Sequence, residues 1–197
     1  GYEVKCVSNY TDIDDKIIKE SQKEGKTEKE LSEFYIKAYE NCLDKLNILP
    51  LYAHPKASQY IDYMASFIKK MMDIGAAYQS KDDIFFSIDT DKTYGNLSKQ
   101  NIVDLVSGSR IDVNSNKKNP LDFALWKLTD DKGIKFDTII GRGRPGWHTE
   151  CVCMVNDVFK KPLIDIHGGG FDLKFPHHEN EIAQSEAVNH TRLANYW

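Results

Sequence analysis

Hydrophobic and polar positions divide the chain into stretches of different texture. The opening YEVKCVSNY alternates and is rich in β-formers, with Val4 and Cys6 on one side of a predicted strand. It feeds TDIDDKIIKES, where Thr11 or Asp12 can cap a helix with an acidic first turn. A second helix is predicted from Thr27, opened by a capping box from Thr27 to Glu30. Leu31, Phe34, Ile36, Tyr39, Leu43 and Leu46 continue it at near-helical spacing. A third runs from about Ala57 to Asp73 through Ile61, Met64, Phe67, Ile68 and Met71 and ends at Gly75. From Ala76 the pattern breaks into short β-like runs (AAYQS, DIFFSID), a turn-rich DTDKTYGN, a helix-like QNIVDLVSG and a polar NSNKKNP before PLDFALWKL. Regular alternation resumes with a helix after GRPGW, the apolar strand KPLIDI and a helix beginning near Pro176. The pattern predicts a nucleotide-binding α/β fold interrupted by a small mixed insert.

Composition narrows the class without naming a function. The 197 residues suffice for one sizeable domain or one domain with an insert, and 41% hydrophobic with 28% charged residues is the balance of an ordinary globular protein. A formal charge of −4 gives no global basic field, so charge alone does not suggest a nucleic-acid partner. No apolar run is long enough to cross a bilayer, and GYEVKCVSNYTD lacks the basic end and apolar centre of a signal peptide; a cytoplasmic location is expected, with no membrane association. The four cysteines are too scattered for a disulfide framework. Cys6 and Cys42 are read as core residues on apolar faces, and Cys42 shares its face with Leu46.

The chemistry concentrates in GRPGWHTECVCM and HGGGFDLKFPHHENEIAQ. On a helix His177 and Glu181, four residues apart, share a face; so do Trp147 and Cys151, while Cys153 points away and is read as core. A thiolate, an imidazole and a carboxylate together suit tetrahedral Zn²⁺, with one ligand still to be supplied. His178 and Glu179 leave the shared face and are read as supporting or surface groups. HGGGFD ends an apolar strand, where ligands of open α/β folds bind. Gly168, Gly169 and Gly170 would let a ligand approach the backbone, and Asp172 could accept hydrogen bonds from ribose hydroxyls or cap a helix.

The segments NYTDIDDK (9–16), GRPGWHTEC (143–151) and DIHGGGFDLKFPHHENEIAQS (165–185) resemble the cysteinyl-tRNA synthetases, a family of class I aminoacyl-tRNA synthetases. TYGNLS, SGSRIDV and NPLDFALWK fall between them in the expected order, so the resemblance covers essentially the whole chain. It implies a Rossmann-like catalytic core, a parallel sheet with flanking helices, split by a connective insert. Residues 1–75 would be the C-terminal part of the first half of that core, 76–140 the insert and 141–197 the second half. It also implies activation of L-cysteine with ATP and Mg²⁺ and transfer to tRNA(Cys). The family's zinc ligands fall on Cys151, His177 and Glu181, with a fourth, a cysteine, upstream of Gly1. The family's substrate pocket falls on Thr11, Trp147 and His167, and the adenylate contacts on Gly168, Gly169, Gly170 and Asp172. The HIGH and KMSKS motifs and the tRNA-binding domains are not among these residues. No catalytic residue is therefore assigned in the chain, and it is expected to be inactive alone.

Three rivals compete. A cysteine ligase of the mycothiol type would share the zinc pocket and adenylate chemistry and differ in its amino-sugar acceptor. A zinc hydrolase would use His177 and His178 as ligands with Glu179 or Glu181 as general base, but adjacent histidines on a helix diverge by about 100° and no HExxH spacing is present. A zinc-stabilised binding module needs only the metal site.

Overall fold

Asp14 caps the first helix, α1 (Asp15–Glu24), its side chain accepting from Lys16 N at 2.7 Å. Neither Thr11 nor Asp12 does so, because both are engaged elsewhere. Asp12 accepts from the backbone and hydroxyl of Ser58, and the Thr11 hydroxyl bonds Glu150. The computed structural model describes residues 1–81, 83–100, 116–128 and 132–197. The helix-like run beyond Gln100 and the SGSRIDV segment lie outside them.

Helix α2 (Glu28–Lys45) opens on the expected capping box, with Thr27 and Glu30 accepting each other's backbone N–H. Its apolar residues are less buried than their spacing predicts: Leu31 is in the core, but Phe34, Tyr39 and Leu46 are exposed. Cys6 and Cys42 are likewise exposed rather than core. The opening segment is not a regular strand; it makes isolated parallel bridges, Val7 with Ala53 and Tyr10 with Lys56.

Helix α3 (Ile61–Asp73) follows a turn over Ala57–Gln59 and ends before Gly75, whose φ of 78° is in the left-handed region. Its buried Met64, Ile68 and Met71 share one core with Ile84, Phe86, Leu125 and Trp126. Those residues belong to a five-stranded sheet built from β1 (Ala77–Ser80), β2 (Asp83–Phe86), β3 (Phe123–Lys127), β4 (Phe136–Thr138) and β5 (Gly141–Pro145) in the order β1-β2-β3-β5-β4.

Every pairing in this sheet is antiparallel, which corrects the expectation of a mainly parallel sheet. Two of its connections are turns of about two residues, too short for the crossover that parallel neighbours need. The short bridges of the opening segment aside, parallel pairing among the described residues occurs between β6 (Ile164–Ile166) and β7 (Ala194–Tyr196), which are joined through a helix. The architecture is mixed α/β.

Two helices complete it: α4 (Trp147–Phe159) and α5 (His177–Asn189). Val152 and Cys153 of α4 and Ala183 of α5 enter the same core as α3 and the sheet, so both helices rest on one scaffold. Gly146 N donates to Leu125 O at 2.8 Å, and a side chain at Gly146 would strike the Ala124 carbonyl. The glycine lets β5 run close against β3 and turn directly into α4.

Candidate metal and substrate site

The first nine residues of α5, HHENEIAQS, include seven polar side chains, yet all nine are buried. Buried polar groups need partners, and these divide by face. Glu179 accepts from Gly95 N (3.1 Å) and Ser98 N (2.7 Å), while Asn180 accepts from the Tyr94 hydroxyl at 2.5 Å, locking the TYGNLS turn to the helix. Gln184 accepts from the Thr149 hydroxyl (2.8 Å) and donates to His148 O (2.9 Å), fixing α5 against α4. The remaining face carries His177 and Glu181.

Across that face Cys151 Sγ lies 3.8 Å from His177 Nε2, and His177 Nε2 lies 3.0 Å from Glu181 Oε1. All three ligand atoms fall within 4.8 Å of one another. Zinc bonds of about 2.3 Å to sulfur and about 2.0 Å to nitrogen and oxygen imply tetrahedral edges of about 3.3–3.6 Å, close to what the side chains present. Glu181 Oε1 is buried without a well-directed hydrogen bond despite its nearness to His177. Two acceptors aimed at one point fit a cation between them. Burial opposes ionisation of Glu181, but the hydrogen bond with His167 and the nearness of the His177 ring outweigh it and hold its carboxyl at about 2. Burial, followed by the Glu181 and Glu150 charges, pushes the Cys151 thiol well above its usual range. Without an ion the site is a carboxylate beside a neutral thiol.

Trp147 stacks on His177 with ring centroids 4.1 Å apart, so the expected substrate-pocket tryptophan stands against the candidate metal group. His167 Nε2 lies 2.8 Å from Glu181 Oε2, which ties it to the same carboxylate. Thr11 lies beside Glu150, a buried residue in the first turn of α4, and lines a cavity with Asn9, Tyr10, Leu31 and Tyr35. The three glycines differ. A Cβ at Gly168 meets nothing within 4 Å, whereas at Gly169 it would press on His178 and Leu173, and at Gly170 on the Asp172 carboxylate. Gly168 alone leaves open backbone; Gly169 and Gly170 make room for the protein's own side chains. Asp172 is exposed, in a turn over Phe171–Lys174.

Three residues gain weight that their sequence positions did not give them. His148 was hidden beside Trp147; its Nδ1 lies 2.9 Å from His177 Nδ1. His178 and Glu179 are buried rather than at the surface. His177 and His178 fall into separate candidate metal groups, so no candidate group among the described residues joins the adjacent histidines as a hydrolase site would.

A family model described as the catalytic domain of class I (C) tRNA synthetases matches residues 1–197, and the chain belongs to that family. Among its relatives it is 48% identical over 200 residues to a protein named Cysteine--tRNA ligase from Exiguobacterium sp. (strain ATCC BAA-1283 / AT1b). It is 51% identical over 199 residues to one of the same name from Finegoldia magna, and 46% over 197 residues to one from Methanococcus maripaludis. Each alignment takes in 100% of this chain but 42%, 43% and 41% of the relative, so the chain spans about two-fifths of their length. No helix among the described residues is long and apolar enough to cross a membrane.

Proposed function

We propose that the chain is the thiol-selecting part of a cysteine–tRNA ligase, a Rossmann-like class I core that activates L-cysteine with ATP and Mg²⁺ and passes it to tRNA(Cys). The observation that carries this reading is the convergence of Cys151, His177 and Glu181 beside Trp147. Family membership and the names of the relatives support it. Residues 1–75 and 141–197 are the two parts of the catalytic fold in this reading, with 76–140 as the connective insert. The parallel β6–α5–β7 unit is the element most like a nucleotide-binding fold.

Zn²⁺ held by Cys151, His177 and Glu181, with a cysteine from elsewhere in the polypeptide, would supply a soft Lewis acid that favours a substrate thiolate over the hydroxyl of serine. The chain's own residues do the positioning. His177 offers Nε2 while its ring is clamped by Trp147, and the exposed part of the indole forms a wall for a small side chain. His167 holds Glu181 by its second oxygen. Thr11, beside Glu150, would bound the cysteine pocket, and the open backbone at Gly168 would admit the adenylate, with Asp172 available to a ribose. Such a site accelerates reaction by orientation and charge stabilisation.

Cysteine-dependent ATP–pyrophosphate exchange by the complete polypeptide tests the reading. Trp147→Ala should raise KM for cysteine about tenfold, the loss of about 1.4 kcal/mol of ring contact, and leave KM for ATP nearly unchanged. Equal exchange with serine and cysteine would overturn the assignment.

A further inference from the structure

Glu181 serves two groups at once. Its Oε1 faces His177 and Cys151, and its Oε2 faces His167. His167, His178 and Glu181 form a second set whose ligand atoms also lie within 4.8 Å of one another. His178 is only 5% exposed, packs with His167 and Trp197 in a cluster of three rings whose centroids are 4.9–5.0 Å apart, and its ring enters no hydrogen bond among the described residues.

From this geometry we infer that His167, His178 and Glu181 form a second, weaker binding site for a divalent transition-metal ion, joined to the first through the Glu181 carboxylate. Two imidazoles and one carboxylate suit Zn²⁺, Co²⁺ or Ni²⁺ and not Mg²⁺, which prefers an all-oxygen shell. His167 Nε2 now donates to Glu181 Oε2; on binding, the hydrogen moves to Nδ1 and Nε2 turns its lone pair to the ion, so no net charge is released. The second ion is the weaker one because the first has the thiolate and shares the only carboxylate charge. It would sit against Gly169, whose Cβ position abuts His178. On the functional reading above, this places it beside the adenylate loop, so that metal excess would block nucleotide entry.

Cobalt separates the two sites, since only the Cys151 site gives a thiolate-to-metal charge-transfer band. The metal-free complete polypeptide is titrated with Co²⁺, and bound metal is counted by equilibrium dialysis. Two equivalents are expected, the first with the sulfur band and the second without it. His178→Gln and His167→Gln should each bind one equivalent and keep the sulfur band. Saturation at one equivalent in the unaltered protein overturns the inference, and so does a second equivalent that survives in both variants. Loss of both equivalents in both variants also overturns it, since the residues would then serve a single site. Absence of the sulfur band throughout would instead count against the first site and the proposed function.

Discussion

His177 Nδ1 lies 2.9 Å from His148 Nδ1, while the opposite nitrogen of the same ring is turned toward Cys151 and Glu181. One of the two Nδ1 atoms must carry the hydrogen. Burial, reinforced by His177, pushes His148 down to about 3, so it is neutral at physiological pH and can accept at Nδ1. With the hydrogen on His177 Nδ1, the Nε2 lone pair is free for a metal, and the contact selects the ligating tautomer. His148→Leu should therefore weaken zinc binding by roughly 10–100-fold, as loss of an outer partner does at other sites. Competition with a chelator measures this, and an unchanged affinity would exclude the role.

Cys151 and Cys153 are two residues apart and differ in kind. Cys151 faces His177, whereas Cys153 is fully buried in the core shared by α3 and the sheet. Cys151→Ser should lose metal with little loss of fold. Cys153→Ser should keep the metal and lose about 1–3 kcal/mol from burying a hydroxyl. Metal content per chain and thermal unfolding of both variants decide it; metal lost from Cys153→Ser alone would reverse the ligand assignment.

Local signals carried part of this picture. The Thr27–Glu30 box, the end of α3 at Gly75 and the shared faces of His177/Glu181 and Trp147/Cys151 follow from spacing within one helix, and the structure has the corresponding elements. What spacing could not give is contact between helices. His148 matters because α4 sets it against α5, and Glu179 matters because the TYGNLS turn folds back onto it. HHENEIAQS looks like a solvated helix, and nothing within it tells that all nine residues are enclosed. The opposite error falls on α2, where helical apolar spacing meets exposed Phe34, Tyr39 and Leu46. Sheet direction does not follow from fold class: the two-residue links β1–β2 and β4–β5 force antiparallel pairing, while the antiparallel β2–β3 and β3–β5 pairings span long connections that local sequence does not orient.

Two glycines separate packing from ligand access. At Gly146 a side chain has no space beside the Ala124 carbonyl, and at Gly168 it has open space. Gly146→Ala should disrupt the β5–α4 junction and lower thermal stability by several degrees, about 1–3 kcal/mol. Gly168→Ala should fold normally and weaken adenylate binding in the complete protein, measured as affinity for a non-hydrolysable cysteinyl-adenylate analogue. If Gly168→Ala binds it as well as the unaltered protein does, the open backbone at this loop is not a ligand contact.

The pH dependence of metal binding distinguishes the three ligands. Burial first, then the charges of Glu181 and Glu150, hold the Cys151 thiol well above 9.0, so at neutral pH it is protonated in the metal-free chain. Glu181, held at about 2, is already ionised. Binding must therefore expel one proton from Cys151 and none from Glu181. The zinc affinity of the 197-residue chain should rise about tenfold per pH unit between about pH 7 and pH 9. Cys151→Ser should flatten that rise, whereas Cys153→Ser should keep it. The stability of the metal-free chain runs the other way. A thiol pKa raised by folding favours the folded state below the unfolded value of about 9, and that contribution is lost as pH climbs past it. Zinc titrations with a competing chelator across this range, paired with unfolding of the metal-free chain at the same pH values, give both slopes. An affinity independent of pH would mean that Cys151 is already a thiolate before metal arrives, contrary to its burial beside two carboxyl groups.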